Sequence, residues 1–318
     1  MIDPLADVVT LLQPGSPYVK MVAGAGRWEV RRVEFGRPFF CAVLEGGCRL
    51  RTDGQAPLDL AAGDFVLVPA AQSFTMTGEG APLPGDPGPE AVDVREGETR
   101  HGRPGGPADV RLLVGYCAFG SPDAALLVSL LPQLVHVRGE QRLTALVRLV
   151  VDECRAARPA RDVVLARLLE VLFIEALRTA AGTAAAPGLA RGLADERLAA
   201  ALRRMHADPA RAWTVAQLAQ EAALSRSTFF ERFSRAVGLA PMAYLLAWRM
   251  ALAKSLLRRR AASVAEVAER VGYGSASAFS VAFARHAGMP PARYASAGAT
   301  SRATLSMSTS GRGAGRGS

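Results

Sequence analysis

The side chains in this sequence with the most chemistry to offer are basic ones, and they are unevenly placed. Between Asp195 and Tyr294 there are 15 Lys or Arg against 7 Asp or Glu, a surplus of eight, while the whole chain of 318 residues carries only +9. One third of the length therefore holds nearly all of the positive charge, as a surface that neutralises phosphates requires. Other chemistry is thinly provided. Cys41, Cys48, Cys117 and Cys154 are scattered, with no CxxC pair and no His cluster beside them. The expectation is reduced, buried thiols, with no metal, no cofactor and no catalytic residue.

The basic third is built on a pattern written twice. TVAQLAQEAALSRSTFFERFSRAVGLAPMAY begins at Thr214, and SVAEVAERVGYGSASAFSVAFARHAGMPPARY begins at Ser263. Phe229, Phe233, Gly238, Pro241 and Tyr244 recur fifty positions later as Phe279, Phe283, Gly288, Pro291 and Tyr294. Each copy has the marks of two short helices joined by a turn. Thr214 with Gln217, and Ser263 with Glu266, fit the capping box, in which hydroxyl and side-chain carbonyl each take an orphan N–H. Ser225 and Ser275 are second N-caps. Each pair of rings four residues apart pins the second helix inward, and Gly238 and Gly288 end those helices. A short helix, a turn and a capped second helix make a helix-turn-helix, whose second helix enters the major groove. An ordinary helical bundle would carry the same Phe pairs, but it has no need of the charge. From Pro241 to about Arg260 a single helix is expected, ~30 Å long at about 1.5 Å per residue. Successive major-groove faces lie about 34 Å apart.

Residues 195–296 resemble the DNA-binding domain of the AraC/XylS family of transcription regulators, and the second copy follows that family's signature closely. The resemblance implies a reader with two helix-turn-helix units, coupled to a sensing or dimerising domain.

The chain before that domain changes character twice. MIDPLADVVTLLQPG carries two acids and no basic region, so no secretory signal is expected, and a short helix is expected over Pro4–Gln13. No apolar run approaches the eighteen or so residues of a membrane span. From Tyr18 to Phe119 short alternating pieces follow: residues 28–35, 39–47, 48–52, 56–60, 65–69, 73–76 and 109–119, with Asp53-Gly54 as a hairpin signal. Residues 78–108, dense in Gly and Pro, read as a mobile loop. Many short strands of this kind close into a sandwich or barrel. LAAGDFVLVPAAQSF resembles the turn and strand of cupins, and the N-terminal part looks like the cupin-type sensor of AraC-like regulators. It departs from metal-binding cupins, because the first histidine, His101, falls in the Gly/Pro loop.

Residues 122–181 return to helix, interrupted at Pro132, with His136 read as structural or surface. Leu143, Leu146, Val147, Val150 and Val151 form one stripe. Val164, Leu165, Leu168, Leu169, Leu172, Phe173 and Leu177 form a wider one that must be covered. In regulators that this chain resembles, such a helical pair forms the dimer interface; packing on the barrel is the alternative. The domain plan is thus a cupin-like barrel at 1–120, a helical dimerisation segment at 121–181, a linker at 182–194, the DNA-binding domain at 195–296 and a disordered tail at 297–318. The fold class is α+β, a β-barrel with a helical pair followed by an all-α domain.

Matching the family's pattern puts Arg226, Ser227, Phe230 and Glu231 on the exposed face of the first recognition helix. Arg226 can donate twice to guanine, Glu231 can accept from cytosine and Phe230 can meet a thymine methyl. Arg232 and Arg235 are expected on phosphates. The matching positions of the second unit are Ala276, Ser277, Ser280 and Val281, a poor set of donors, with Ser275 at the helix N-terminus and Arg285 on the backbone. Arg258, Arg259 and Arg260 are expected to clamp phosphates or to complement the end of the connecting helix. The function expected is that of a cytoplasmic, sequence-specific transcription regulator. Its partners are double-stranded DNA and a second copy of the chain through residues 140–181, with the barrel either sensing a small-molecule effector or serving only dimerisation, and no membrane. A cupin metalloenzyme tethered to DNA is the alternative.

Overall fold

Alternation decides the first half of the molecule. In GCRLRT the buried residues Cys48 and Leu50 alternate with exposed Arg49 and Arg51, so one face of this strand meets a core and the other meets water. The computed structural model describes residues 2–12, 14–78, 92–95, 98–119, 124–128, 130–156, 158–181, 187–259 and 262–296. The described chain divides into two compact units. One holds Leu5–Glu196 and Arg235–Gly238, and the other holds the rest from Arg197 onward with the first few residues.

After helix α1 (Pro4–Leu12), the first unit is a nine-stranded mixed sheet: β1 (Pro14–Ala25), β2 (Glu29–Glu45), β3 (Gly47–Thr52), β4 (Leu58–Ala61), β5 (Asp64–Thr77), β6 (Val92–Arg95), β7 (Glu98–Gly102), β8 (Val110–Phe119) and β9 (Val135–Arg138). The order is β4-β3-β5-β2-β8-β1-β7-β6, with β9 paired to β5. Every pairing is antiparallel except β1 with β7. Inward-facing Trp28, Phe39, Cys41, Leu50, Val66 and Leu112 belong to one buried cluster. Phe39 stacks on Phe74 with centroids 4.0 Å apart.

The barrel differs from the sequence reading in four places. Residues 28–35 and 39–47 are halves of one long strand, β2, and residues 65–69 and 73–76 are halves of β5. Register shifts at Val33/Arg37 and Arg37/Phe39 bend the pair without ending it, as bulges do. The strand β1 begins at Pro14, ahead of Tyr18, from which strand pieces were expected. His101 does not lie in a loop: it is a buried residue of β7, in register with Gly24 of β1. The stretch VHVR, expected to be helical, is strand β9, because alternate burial of Val135 and Val137 against β5 outweighs its position after a helix. Elsewhere in the proposed Gly/Pro loop, Val92–Arg95 is strand β6, paired to β7, while residues 79–91 and 96–97 lie outside the described residues, as does the tail at 297–318.

A charged cluster fixes the β4–β5 turn. Asp64, itself buried, accepts from Nε and one terminal nitrogen of Arg138, both at 2.8 Å, and from the Ala61 amide at 3.0 Å. His136 Nε2 stands 3.3 Å away. Burial alone would raise the Asp64 carboxyl, yet these donors together hold it below its ordinary value. The thiols of Cys41 and Cys48 are free, and burial pushes both up, Cys48 to about 12.

The helices after the barrel are α2 (Ala124–Val128), α3 (Gln141–Arg155), α4 (Arg161–Ala181) and α5 (Leu189–Ala194). Helix α4 packs on α3, β1 and β9. Leu165, Leu169 and Leu172 are buried there and Leu168 is half-buried, so the face expected to meet a second copy is covered within the chain itself. Arg142 of α3 bridges to Glu175 of α4 at 3.0 Å. The proposed linker is partly helical: Leu189 and Ala190 of α5 are fully buried, and residues 182–186 are not described.

Candidate nucleic-acid interface

Beyond Asp195 the described chain is helical: α6 (Glu196–Ala207), α7 (Val215–Glu221), α8 (Arg226–Val237), α9 (Pro241–Arg259), α10 (Val264–Arg270) and α11 (Ala276–Ala287), with a final helical turn at 291–296. Both capping boxes form. Thr214 Oγ1 accepts the Gln217 amide at 3.2 Å while Gln217 Oε1 accepts the Thr214 amide at 2.9 Å. Ser263 Oγ accepts the Glu266 amide at 3.2 Å, and Glu266 Oε2 accepts the Ser263 amide at 2.6 Å. That amide holds the Glu266 carboxyl below its ordinary value.

The repeated aromatic residues build the same core twice. Phe229 and Phe233 stand 5.4 Å apart, and Phe233 meets Tyr244 edge-on at 5.8 Å and 76°. Phe279 and Phe283 are also 5.4 Å apart, and Phe283 meets Tyr294 at 5.4 Å and 76°. All four Phe rings are fully buried. Burying the rings of α8 on one side turns Arg226, Ser227, Phe230, Glu231, Arg232 and Arg235 outward, and all six are exposed. On α11 the same rule exposes Ser277, Val281 and Arg285 and leaves Ala276 and Ser280 half-buried. Val281 is 61% exposed and Phe230 44%, large apolar side chains presented to solvent on the two candidate reading faces.

Hydrogen bonding separates the two faces further. Ser275 Oγ accepts the Ala278 amide at 3.1 Å as the N-cap of α11. Ser280 donates its hydroxyl to the Ala276 carbonyl at 2.7 Å, so its one proton is spent inside the helix. Ser225 Oγ lies 2.8 Å from Thr228 Oγ1 and 3.2 Å from Ser227 Oγ. On α8, Arg226 and Glu231 project from beyond this local network.

Two arginines behave unlike surface cations, and sequence reasoning missed both roles. Arg258 does not stand free for phosphate: its Nη1 donates to Tyr294 Oη at 3.1 Å. Tyr244 Oη is likewise engaged, 2.8 Å from Nε2 of buried His206. The recurrence of Tyr at both motif ends was the available signal that each hydroxyl takes a partner. Arg249, in the middle of α9, donates to carbonyls of the α6–α7 loop, and nothing in the repeat marks it. Arg259 is exposed, and Arg260 lies outside the described residues.

Helix α9 has 19 residues, about 28 Å at 1.5 Å per residue, and carries a capped helix pair at either end. A helical unit of this build, with exposed basic recognition faces, is a double helix-turn-helix DNA reader. Comparison with known proteins agrees. A cupin family model matches residues 3–182, and a helix-turn-helix domain model matches residues 218–297. The chain is 40% identical over 302 residues to an AraC-like transcription regulator of Streptomyces lividans, covering 92% of this chain and 97% of that one. It is 39% identical over 302 residues to an AraC-like regulator of Streptomyces antibioticus, covering 92% and 98%. It is also similar to the transcriptional regulator AlkR of Acinetobacter baylyi, 34% identical over 182 residues, or 55% of this chain and 58% of that one. The chain belongs to the AraC family of DNA-binding transcription regulators, with a cupin-like domain ahead of the reader.

Proposed function

We propose that the protein works in the cytoplasm as a homodimer whose two copies each read two successive major-groove segments unequally, under control of a small molecule taken up by the cupin-like domain. The observation that carries this reading is the contrast between α8 and α11. Helix α8 exposes a guanidinium and a carboxylate, both able to discriminate bases, whereas α11 exposes Ser277 and Val281 and folds the Ser280 hydroxyl back on itself. Arg226, Ser227, Phe230 and Glu231 contact bases from α8, and Arg232 and Arg235 lie on phosphates. Ala276, Ser277, Ser280 and Val281 approach the second groove segment closely, with the α11 N-terminus at Ser275 and Arg285 holding the backbone.

The dimer reading is supported by apolar side chains that the protomer leaves uncovered. Leu149 of α3 is 52% exposed, and Val163, Val164 and Val171 of α4, the helix packed on α3, are exposed as well. These replace Leu165, Leu169 and Leu172 as the candidate contact. The chain carries no metal-binding group of three or more His, Cys, Asp or Glu among the described residues, and among them no single helix is long and apolar enough to cross a membrane. Selection of bound duplexes from a randomised library tests the whole reading: an enriched motif with two segments one helical turn apart is the expected result, and recovery of unenriched DNA would refute it.

A further inference from the structure

Room for a ligand lies outside the barrel. Within it, Phe39, Phe74, Met76, Leu112 and Val114 leave a cavity of only about 30 Å³, room for one or two waters. A second cavity, of about 350 Å³, separates the outer surface of the sheet from helix α3. Small-molecule sites begin at about 300 Å³, so volume alone favours the second.

Its walls have a regular origin. Glu140, Leu143, Thr144, Val147 and Arg148 line one side, and their spacing places them on a single face of α3. Ala42, Leu44, Phe65 and Val137 line the other. Ala42, Leu44 and Phe65 alternate along their strands with Cys41, Val43 and Val66 of the barrel core, so their side chains face away from it, and Val43 borders the cavity as well. The space is a helix-on-sheet interface that its own side chains do not fill. It is too small for a helix from another protein and suited to a compact apolar molecule.

Charge names the other half of the ligand. Glu140 caps α3, accepting the Arg142 amide at 3.4 Å. Asp64, at the floor, is committed to Arg138 and the Ala61 amide. The exposed side chain of Arg148 makes no hydrogen bond or ion pair among the described residues. A guanidinium at the rim of an apolar cavity matches a carboxylate or sulfonate, which it can bind through two parallel N–H donors. We propose that the cavity beneath α3 is the effector site, and that it takes a small organic acid with an apolar body and its acidic group on Arg148. This rests on the sensing role proposed above and deepens it: a ligand wedged there bears on α3, which packs on α4 and is bridged to it by Arg142 and Glu175.

The test uses the full chain and the fluorescent acid 1-anilinonaphthalene-8-sulfonate, with neutral N-phenyl-1-naphthylamine beside it. Saturable binding of the sulfonate at one site per chain is expected. Arg148→Glu, an exposed change that leaves the unfolding midpoint in place, should weaken it roughly tenfold or more, since a charge-assisted pair is lost. Val147→Trp should abolish it by filling the space, and Arg32→Glu, at the mouth of the barrel cavity, should leave it unchanged. No binding to the parent protein would overturn the proposal. So would binding indifferent to Arg148→Glu and Val147→Trp, binding lost in Arg32→Glu, or equal affinity for the neutral amine. DNA binding by the same preparation without probe distinguishes a failed ligand site from a failed regulator.

Discussion

Arg249 Nε donates to the carbonyl of Pro209 at 2.7 Å, and a terminal nitrogen of the same guanidinium donates to the Arg211 carbonyl, also at 2.7 Å. The connecting helix is thereby stapled to the loop that leads into the first helix-turn-helix. The second unit touches the same point, since a Cβ on Gly272 would lie 2.4 Å from the Ala210 carbonyl oxygen and 2.8 Å from Arg249. Gly272 also has a φ of +79°, in the left-handed region. Loop, connecting helix and second turn therefore meet at one residue. Arg249→Met should keep both units folded and loosen their spacing. One base pair inserted between the two DNA segments turns them by about 34° and should cost the parent protein more affinity than the variant. An equal penalty in the two proteins would show that Arg249 does not set the spacing.

The surplus of basic residues predicts a salt response. Duplex affinity should fall linearly on a log–log plot, with a slope of about −0.9 per phosphate neutralised. Arg235→Ala should reduce the slope by about one contact and weaken all sequences alike. A flat salt response in a binding titration would remove electrostatic contact from the mechanism.

The repeat made the reader legible because it is a local code. Caps, paired rings and terminating glycines act within about four residues, so Thr214, Ser263, Phe229 and Phe279 announced their structures. The barrel was read in outline and misjudged where pairing is distant. Nothing near Val33 or Arg37 says that a bulge will carry β2 onward, because that is decided by β5 some forty residues away. His101 was misplaced for the same reason: its strand exists through parallel pairing with β1. Helix α4 is apolar around most of its surface, so its periodicity did not reveal which side the protomer would cover. The sensing cavity left no local trace at all, being the gap between a sheet and a helix.

Burial now divides the residues of α4 into two kinds, with different consequences. Leu172→Ala removes a fully buried side chain and should destabilise the fold by about 2–5 kcal/mol in chemical denaturation. Val171→Glu changes an exposed one and should leave stability within about 0.5 kcal/mol, while converting a dimer to a monomer in sedimentation. If the parent chain already sediments as a monomer, this face is not the dimer contact.

Acid should weaken the sensing unit through His101. Burial, with Lys20 and Arg32 nearby, lowers its imidazole from the usual 6.5 to about 4. A depressed histidine is neutral in the folded state and gains its proton on unfolding, so its contribution is complete above pH 6.5 and is lost as pH falls from about 6.5 to 4. The loss should not exceed about 3.4 kcal/mol. His101→Gln should flatten that part of the stability profile measured by urea unfolding. A profile parallel to the parent's between those values would show that His101 does not govern it.

The two recognition helices should not contribute equally. Arg226 and Glu231 are exposed on α8 and can make directional bonds to base edges, each worth about 1–3 kcal/mol of discrimination. On α11, Ser277 and Val281 are the exposed pair, and the Ser280 proton is already given to the Ala276 carbonyl at 2.7 Å. What remains there is close approach, methyl contact and one short hydroxyl. Base changes beneath α8 should therefore each cost about 1–3 kcal/mol, and those one turn away should cost less. Arg226→Ala should relax the sequence preference of the first segment, whereas Ser277→Ala should barely alter the second. Arg285→Ala should weaken binding to every sequence by a similar factor, as loss of a backbone contact does. Affinities over a library with both segments randomised decide the matter, since equal information in the two, or more beneath α11, would assign the dominant reading to the wrong helix.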